Sequence, residues 1–337
     1  MASKPDKLAQ SSTGSRYFWL ALFFLVGLVF LLGRVAPEPI SSYFATFTTI
    51  FLGIFIEAAP FLVLGALFSG FIEIFISRDI LVRFVPRQPL LAGLSGAFLG
   101  FVFPVCECGV VPVTRRLYSK GLPISVGITF LLAAPVVNPV VLLSTYAAFG
   151  WGPVLIGRLV FSALVAFVVG LTFSRTPPES VVLPSTLHGR GHDHTHLPPN
   201  ATLLQKIWHS LAIAGDDFLD MGRYLILGSM MAAGMQTFVP QTALLALGSG
   251  PVISVLVMMI LAFVLSVCST VDAFLALSFA STFSTGSILA FLTFGPMVDI
   301  KSAMMFLRVF HKRTVARLIL LPFLLIFIIG LMVNFYF

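Results

Sequence analysis

Residues 104–112 read Pro104-Val-Cys-Glu-Cys-Gly-Val-Val-Pro112: two thiols and a carboxylate between two helix-breaking prolines, set inside an apolar chain. The stretch follows an uncharged run over 90–105 and precedes Arg115, Arg116 and Lys120. Sixteen residues are too few to cross a bilayer comfortably, since a spanning helix takes about 20. The spacing predicts a re-entrant hairpin whose tip, carrying Pro104, Cys106, Glu107 and Cys108, ends at membrane depth. Unwound backbone there is tolerated only where protein buries it or where it lines a cavity.

The rest of the chain has the composition such a hairpin needs. Hydrophobic residues make up 58% and charged residues 10% of the 337, and the mean hydropathy is +1.04. A water-soluble fold would lack polar surface. The further apolar runs, 17–33, 39–76, 121–174, 203–238, 250–268, 271–299 and 314–337, must be helices, because open strands leave backbone groups unpaired in lipid. About seven to nine spans fit this length. The run 17–33 follows Lys4, Lys7 and Arg16 and is not followed by a small-residue cleavage site, so it reads as a retained first helix. The net charge of +7 is scattered over short turns, not gathered on one face, which argues against nucleic acid. Three cysteines in such a chain are not a secreted disulfide framework.

An internal repeat organises these runs. Glu57 in IEAAPFLVLG pairs with Asp220 in LDMGRYLILG, Gly65 with Gly228, Cys106 with Cys268, Pro135 with Pro296, Asn138 with Asp299 and Arg158 with Arg317. The offsets are 163, 163, 162, 161, 161 and 159, a slow drift of the kind duplication with small loop deletions leaves. Basic residues cluster at the amino terminus, 78–87, 115–120, 175–206 and 308–317, which the positive-inside rule places in the cytoplasm together with the amino terminus. Loop 78–89 is then inside and its counterpart 239–249 outside, so the repeats are inverted. The expected fold is an all-α polytopic membrane protein: an amino-terminal tail and leading transmembrane helix (1–38), a first repeat (39–174), a mobile His-rich cytoplasmic linker (175–206) and a second, inverted repeat (207–337). Each repeat has a long helix, a re-entrant hairpin, a Pro-broken span and a closing span. Pro135 and Pro139 break the span of the first repeat, and Pro296 that of the second.

The second hairpin carries Ser266-Val-Cys-Ser-Thr-Val-Asp272, and inversion brings Cys268 towards Cys106 and Cys108. Thiols are soft ligands suited to thiophilic metals and metalloids, with Glu107 and Thr270 available to a harder group. A buried cysteine is equally a small apolar residue. Glu57, Asp220 and Asp272 are intramembrane carboxyl groups suited to proton coupling, or alternatively interfacial anchors. Asn138 and Asp299 stand at the broken spans as substrate contacts or helix caps, and Lys301 is placed to neutralise Asp299. His188, His192, His194 and His196 form a loop tract able to take up a metal weakly. There is no phosphate-binding loop, and no cofactor is called for.

The run VCECGVVPVTRRLYSKGLPISVGITFLLAAPVVNPVVLLSTYAAFG, 105–150, resembles the signature of the ArsP/YraQ-like permease family, and the likeness extends from about 40 to the carboxyl end. The resemblance implies a bacterial inner-membrane permease, some members of which export trivalent organoarsenicals such as methylarsenite. Cys106, Cys108 and Pro135–Pro139 fall in the family's motif regions. The leading expectation is a non-enzymatic secondary carrier exporting a small thiophilic solute, with that solute and the bilayer as partners and a homodimer as a candidate assembly. Rival readings are a metal transporter served by the histidine loop and an intramembrane thiol oxidoreductase.

Overall fold

A computed structural model describes residues 38–77, 88–103, 105–187, 202–238 and 250–336. Pro104, the leading helix, the loops 78–87 and 239–249, and His188, His192, His194 and His196 lie outside the described residues. Fourteen helices are described: α1 Glu38–Phe75, α2 Pro89–Val102, α3 Glu107–Ser119, α4 Ile124–Val137, α5 Pro139–Phe149, α6 Pro153–Thr172, α7 Pro178–Val181, α8 Pro184–Leu187, α9 Leu203–Phe238, α10 Pro251–Leu265, α11 Asp272–Phe279, α12 Thr285–Met297, α13 Ile300–Val309 and α14 Lys312–Tyr336. Among the described residues there is no strand, only an isolated bridge between Val182 and Phe310. The chain divides into two units at Ile50. In the first, the Thr46 and Thr48 hydroxyls donate back to the Ser42 and Phe44 carbonyls.

This is an all-helical, polytopic membrane protein. Among the described residues, five stretches are long and apolar enough to cross a bilayer: Ser41–Phe75, Ile124–Phe149, Pro153–Thr172, Thr285–Val309 and Lys312–Tyr336. The apolar run 17–33 lies outside the described residues, and two further features keep apolar runs from this set. Helices α2 and α10, at 14 and 15 residues, stop short of the required length. Helix α9 has 36 residues but carries Lys206, Asp216, Asp217, Asp220 and Arg223.

Helix starts recur along the chain. Pro89, Glu107, Ile124, Pro139 and Pro153 are followed by Pro251, Asp272, Thr285, Ile300 and Lys312 at offsets of 162, 165, 161, 161 and 159. Packing recurs with them: α2 lies on α4 and α6, and α10 on α12 and α14. Helix α3 packs on α13 and α11 on α5, so each short helix rests on an element from the other set.

Two opposite ends of the molecule are marked by α14, about 37 Å long at 1.5 Å per residue. At its amino-terminal end Tyr118 packs edge-on against Phe310, with ring centroids 5.9 Å apart, and Lys120 Nζ donates to the Ile76 and Glu73 carbonyls at 2.7 and 2.8 Å. The chain that leaves α1 at Ile76 is thus back beside it at Lys120. At the other end Asn334 Nδ2 donates to the Pro251 carbonyl at 2.9 Å, and the Ser254 and Ser287 hydroxyls meet at 2.8 Å. The excursion through α10 and α11 returns there. Helices α1 and α9 run antiparallel: Ser69 reaches Asp217, whereas Glu57 lies within reach of Lys301, whose Cα sits against Gly228.

The broken spans are capped, and the breaks fall later than the prolines suggest. Pro135 and Pro296 lie inside the last turns of α4 and α12, and the chain turns at Asn138 and at Val298–Asp299. Pro139 is the first residue of α5, where its missing N–H costs nothing. Asn138 Oδ1 accepts from Val141 N, and Asp299 closes a capping box with Ser302. The expected mobile linker is anchored over its first part: Leu183 N donates to Val309 O at 2.9 Å, His311 N to Val181 O at 3.1 Å, and Val181 and Val182 are buried. These bonds pair the backbone groups left over where α13 ends and α14 begins, which explains why a Pro- and Ser-rich stretch docks.

Two outcomes test this packing in detergent. A Cβ on Gly65 would lie 2.3 Å from Gly109 Cα, whereas Gly222 has open space. Gly65→Ala should destabilise the protein by about 1–3 kcal/mol, the usual cost of overpacking, with little change for Gly222→Ala. Asn138→Ala should lose about 1 kcal/mol in the same thermal unfolding assay, and Asn138→Asp should be no milder, because Asp restores the cap acceptor but buries a carboxylate and loses the donor to the Ala134 carbonyl.

Candidate functional site

The residues singled out by sequence gather where the chain breaks between α2 and α3 and between α10 and α11. At the first break Cys106 is the extended residue that caps α3 and Glu107 is the first helical residue. At the second, Ser266 ends α10 in the left-handed region, φ 50°, a conformation that costs an L-residue roughly 1–2 kcal/mol. That strain turns its carbonyl towards Lys301, whose Nζ donates to it. Cys268 follows, accepting a hydrogen bond from Thr270 Oγ1 at 3.5 Å, and its own carbonyl receives Asp272 N at 3.0 Å.

Lys301, two residues after the Asp299 cap, connects both breaks. Its Nζ stands 3.6 Å from Glu107 Oε1 and 3.4 Å from Asp299 Oδ2, and its charge also acts on Cys108 and Cys268. Glu57 on α1 lies beside the Cys268 backbone. The Cys106 and Cys108 side chains touch each other. The cluster is sealed: Glu107 is 2% exposed, Lys301 1%, Asp299 1%, Cys108 0% and Cys268 2%. Both Glu107 oxygens and Asp299 Oδ2 lack hydrogen-bond partners among the described residues, acceptors a ligand can use. All three thiols are free. Among the described residues no three His, Cys, Asp or Glu side chains form a set arranged to hold a metal ion.

Asp272 belongs to a second buried pair. Arg158 on α6 grips it with both Nη atoms, at 3.0 and 2.7 Å, and also donates to Thr145 Oγ1 at 2.8 Å and more weakly to Ser269 O. Arg158 is fully buried, so removing either partner would strand a charge in low dielectric. Sequence pairing marked Arg158 as a repeat position without assigning it a role, and Lys301 only as a partner of Asp299. The signal available for both was an intramembrane cation.

Asp220 sits elsewhere. It accepts from Arg115 at 2.8 Å, from Arg223 at 2.7 Å and from Arg308 Nε at 3.1 and 3.0 Å, at the amino-terminal end of α14. Beside it Asp217 accepts from Arg116 and Ser69. The register-matched carboxylates Glu57 and Asp220 thus have unlike surroundings, one bordering the cysteine cluster and one inside an arginine network. Asn138 is buried, with its amide bonded to Val141 N and Ala134 O at the start of α5.

Comparison with known proteins accords with this architecture. The chain is 46% identical over 280 residues to the UPF0718 protein YcgR of Bacillus subtilis, covering 82% of this chain and 93% of that one. It is 42% identical over 287 residues to a Streptococcus mutans protein whose name describes a subunit of a two-component membrane permease complex, covering 85% and 94%. Escherichia coli YraQ is 26% identical over 134 residues, 38% of this chain and 39% of that one. No solved structure matches significantly. The ArsP_1 model, described as "predicted permease", matches residues 43–335, and the chain belongs to that family.

Proposed function

We propose that this permease is a secondary carrier, not an enzyme, built from two inverted repeats whose re-entrant hairpins meet at one occluded site. One observation carries the reading: Lys301 Nζ stands 3.6 Å from Glu107 at one chain break and donates to the Ser266 carbonyl at the other, so the two breaks share a single buried cation. Support for the hairpins comes from the return of the chain to Ile76 at Lys120 and to Ser254 at Ser287, at opposite ends of α14. The antiparallel course of α1 and α9 supports inversion. Broken helices around a central site suit alternating access, whereas electron transfer between thiols has no use for such symmetry. The basic end, with Arg115, Arg116, Lys120, Arg308 and Lys312, is cytoplasmic on this reading.

The solute is small and thiophilic, of the kind of trivalent organic arsenic, and moves outward. Thiol exchange from one break to the other supplies affinity without a preformed metal cage. Thr270 orients Cys268, and Glu107 and Asp299 offer oxygen acceptors. Of the carboxyl groups considered for proton coupling, Glu57 borders the cluster, while Asp220 and Asp272 are each held by arginine. The Streptococcus relative's name raises a second membrane subunit as a partner.

An arsenic-sensitive bacterium expressing the protein should grow in methylarsenite, and Cys106→Ser, Cys108→Ser and Cys268→Ser should each lose that resistance at equal membrane abundance. Resistance retained by all three, or none conferred by the unaltered protein, would reject thiol ligation. In purified protein, methylarsenite should raise the thermal midpoint, and the serine variants should abolish the rise.

A further inference from the structure

We infer that two crossed ion pairs, Lys301–Glu107 and Arg158–Asp272, are the access latches of the transport cycle, one for each hairpin tip. The inference rests on the two-hairpin reading above and extends it to the groups that open and close the site. Each acid is the first residue of the helix that leaves a tip: Glu107 opens α3 and Asp272 opens α11. Each cation comes from the other half, Lys301 on α13 gripping the first tip and Arg158 on α6 gripping the second. The helix packing crosses in the same way, α3 on α13 and α11 on α5.

Inheritance from a duplicated ancestor does not account for the two cations. At the offset of 161 that relates α5 to α13, the register mate of Lys301 is Val140, and the mate of Arg158, Arg317, is exposed. The halves thus reach one arrangement, a tip carboxylate held by a cation from across the interface, through cations at unrelated positions. Packing alone does not ask for that, because apolar side chains of similar volume hold buried surfaces together at least as well.

An ion pair differs from an apolar contact in having two acceptable states. Dry and closed, the charges satisfy each other; wet and apart, water satisfies them; only the dry, separated state is costly. A tip held this way is closed until water enters with it, which is the behaviour of a gate. The two latches are unequal. Arg158 holds Asp272 with two hydrogen bonds and is itself braced by Thr145, whereas Lys301 stands 3.6 Å from Glu107 and divides its donors with Ser266 O and Asp299. The second tip is the firmer, so the resting protein opens more readily at the basic end of the molecule.

The native thiols report on both tips without any solute, so the result stands whether or not the methylarsenite experiment succeeds. Protein with Cys268 as its sole cysteine, and protein with Cys108 as its sole cysteine, are labelled by a membrane-impermeant maleimide in right-side-out and inside-out vesicles. Removing every charge of a cluster leaves no stranded ion, so Arg158→Leu/Asp272→Leu and Lys301→Met/Glu107→Gln, the latter made together with Asp299→Asn because Asp299 shares Lys301, retain the fold. The double variant should label Cys268 about tenfold faster from the outer side only, and the triple variant should label Cys108 about tenfold faster from the cytoplasmic side only, as expected when a rare open state becomes common. Arg158→Lys, which keeps the charge but loses the two-point grip, should fall between wild type and the double variant. Labelling unchanged from wild type in both the double and the triple variant, as for purely structural pairs, or accelerated from the same side in both, would overturn the assignment.

Discussion

Backbone amides at membrane depth have no water to bond to, and the architecture follows from that constraint. The chain is unwound at 103, at 105–106 and again at 266–271, next to helices of 14 and 15 residues, too short to span a bilayer. Such breaks must be buried in protein. The second break uses Cys268 O to receive Val271 N and Asp272 N, and Ser266 O to receive the Lys301 ammonium. Lys301 then needs countercharges of its own, and Glu107 and Asp299 provide them. A requirement to satisfy backbone thereby assembles a cluster of ionisable groups and thiols.

Local features of this fold were legible because they depend on residue type and register. Hydropathy gives the helices, the slowly drifting offsets anticipate the recurrent helix starts, and the length of 90–105 anticipates a helix that stops early. What periodicity cannot supply is the identity of partners across the interface. Asp272 reads as a carboxyl group available for protons until Arg158, more than a hundred residues away, closes on it. Asp220 reads as the equal of Glu57 until three arginines from different helices surround it. Pro135 and Pro296 attract attention as helix breakers, yet the turn comes at the Asn138 and Asp299 caps, where a side-chain acceptor makes stopping favourable.

The docked stretch 178–187 shows the same limit. Its composition is that of a linker, and nothing local calls for order. Order is imposed from outside by the unpaired backbone where α13 gives way to α14, and by Tyr118 and Phe310, whose packing ties the end of α3 to that junction. The carboxyl ends of α3 and α13 are therefore joined on the basic side of the molecule, while their amino ends are joined by Glu107 and Lys301. The packed carboxyl ends keep the two helices together when the ion pair at their amino ends parts.

That coupling bears on how a duplicated fold becomes directional. Two identical halves would open with equal ease on either side and would favour neither. Here the register mates have diverged: a carboxylate beside the site matches one inside an arginine network, a buried lysine matches a valine, and a buried arginine matches an exposed one. On the latch proposal, each divergence would change the cost of opening one side and leave the backbone alone. On the alternating-access reading proposed above, symmetry in helix placement would let the site face both ways, and asymmetry in buried charge would set which way it faces at rest.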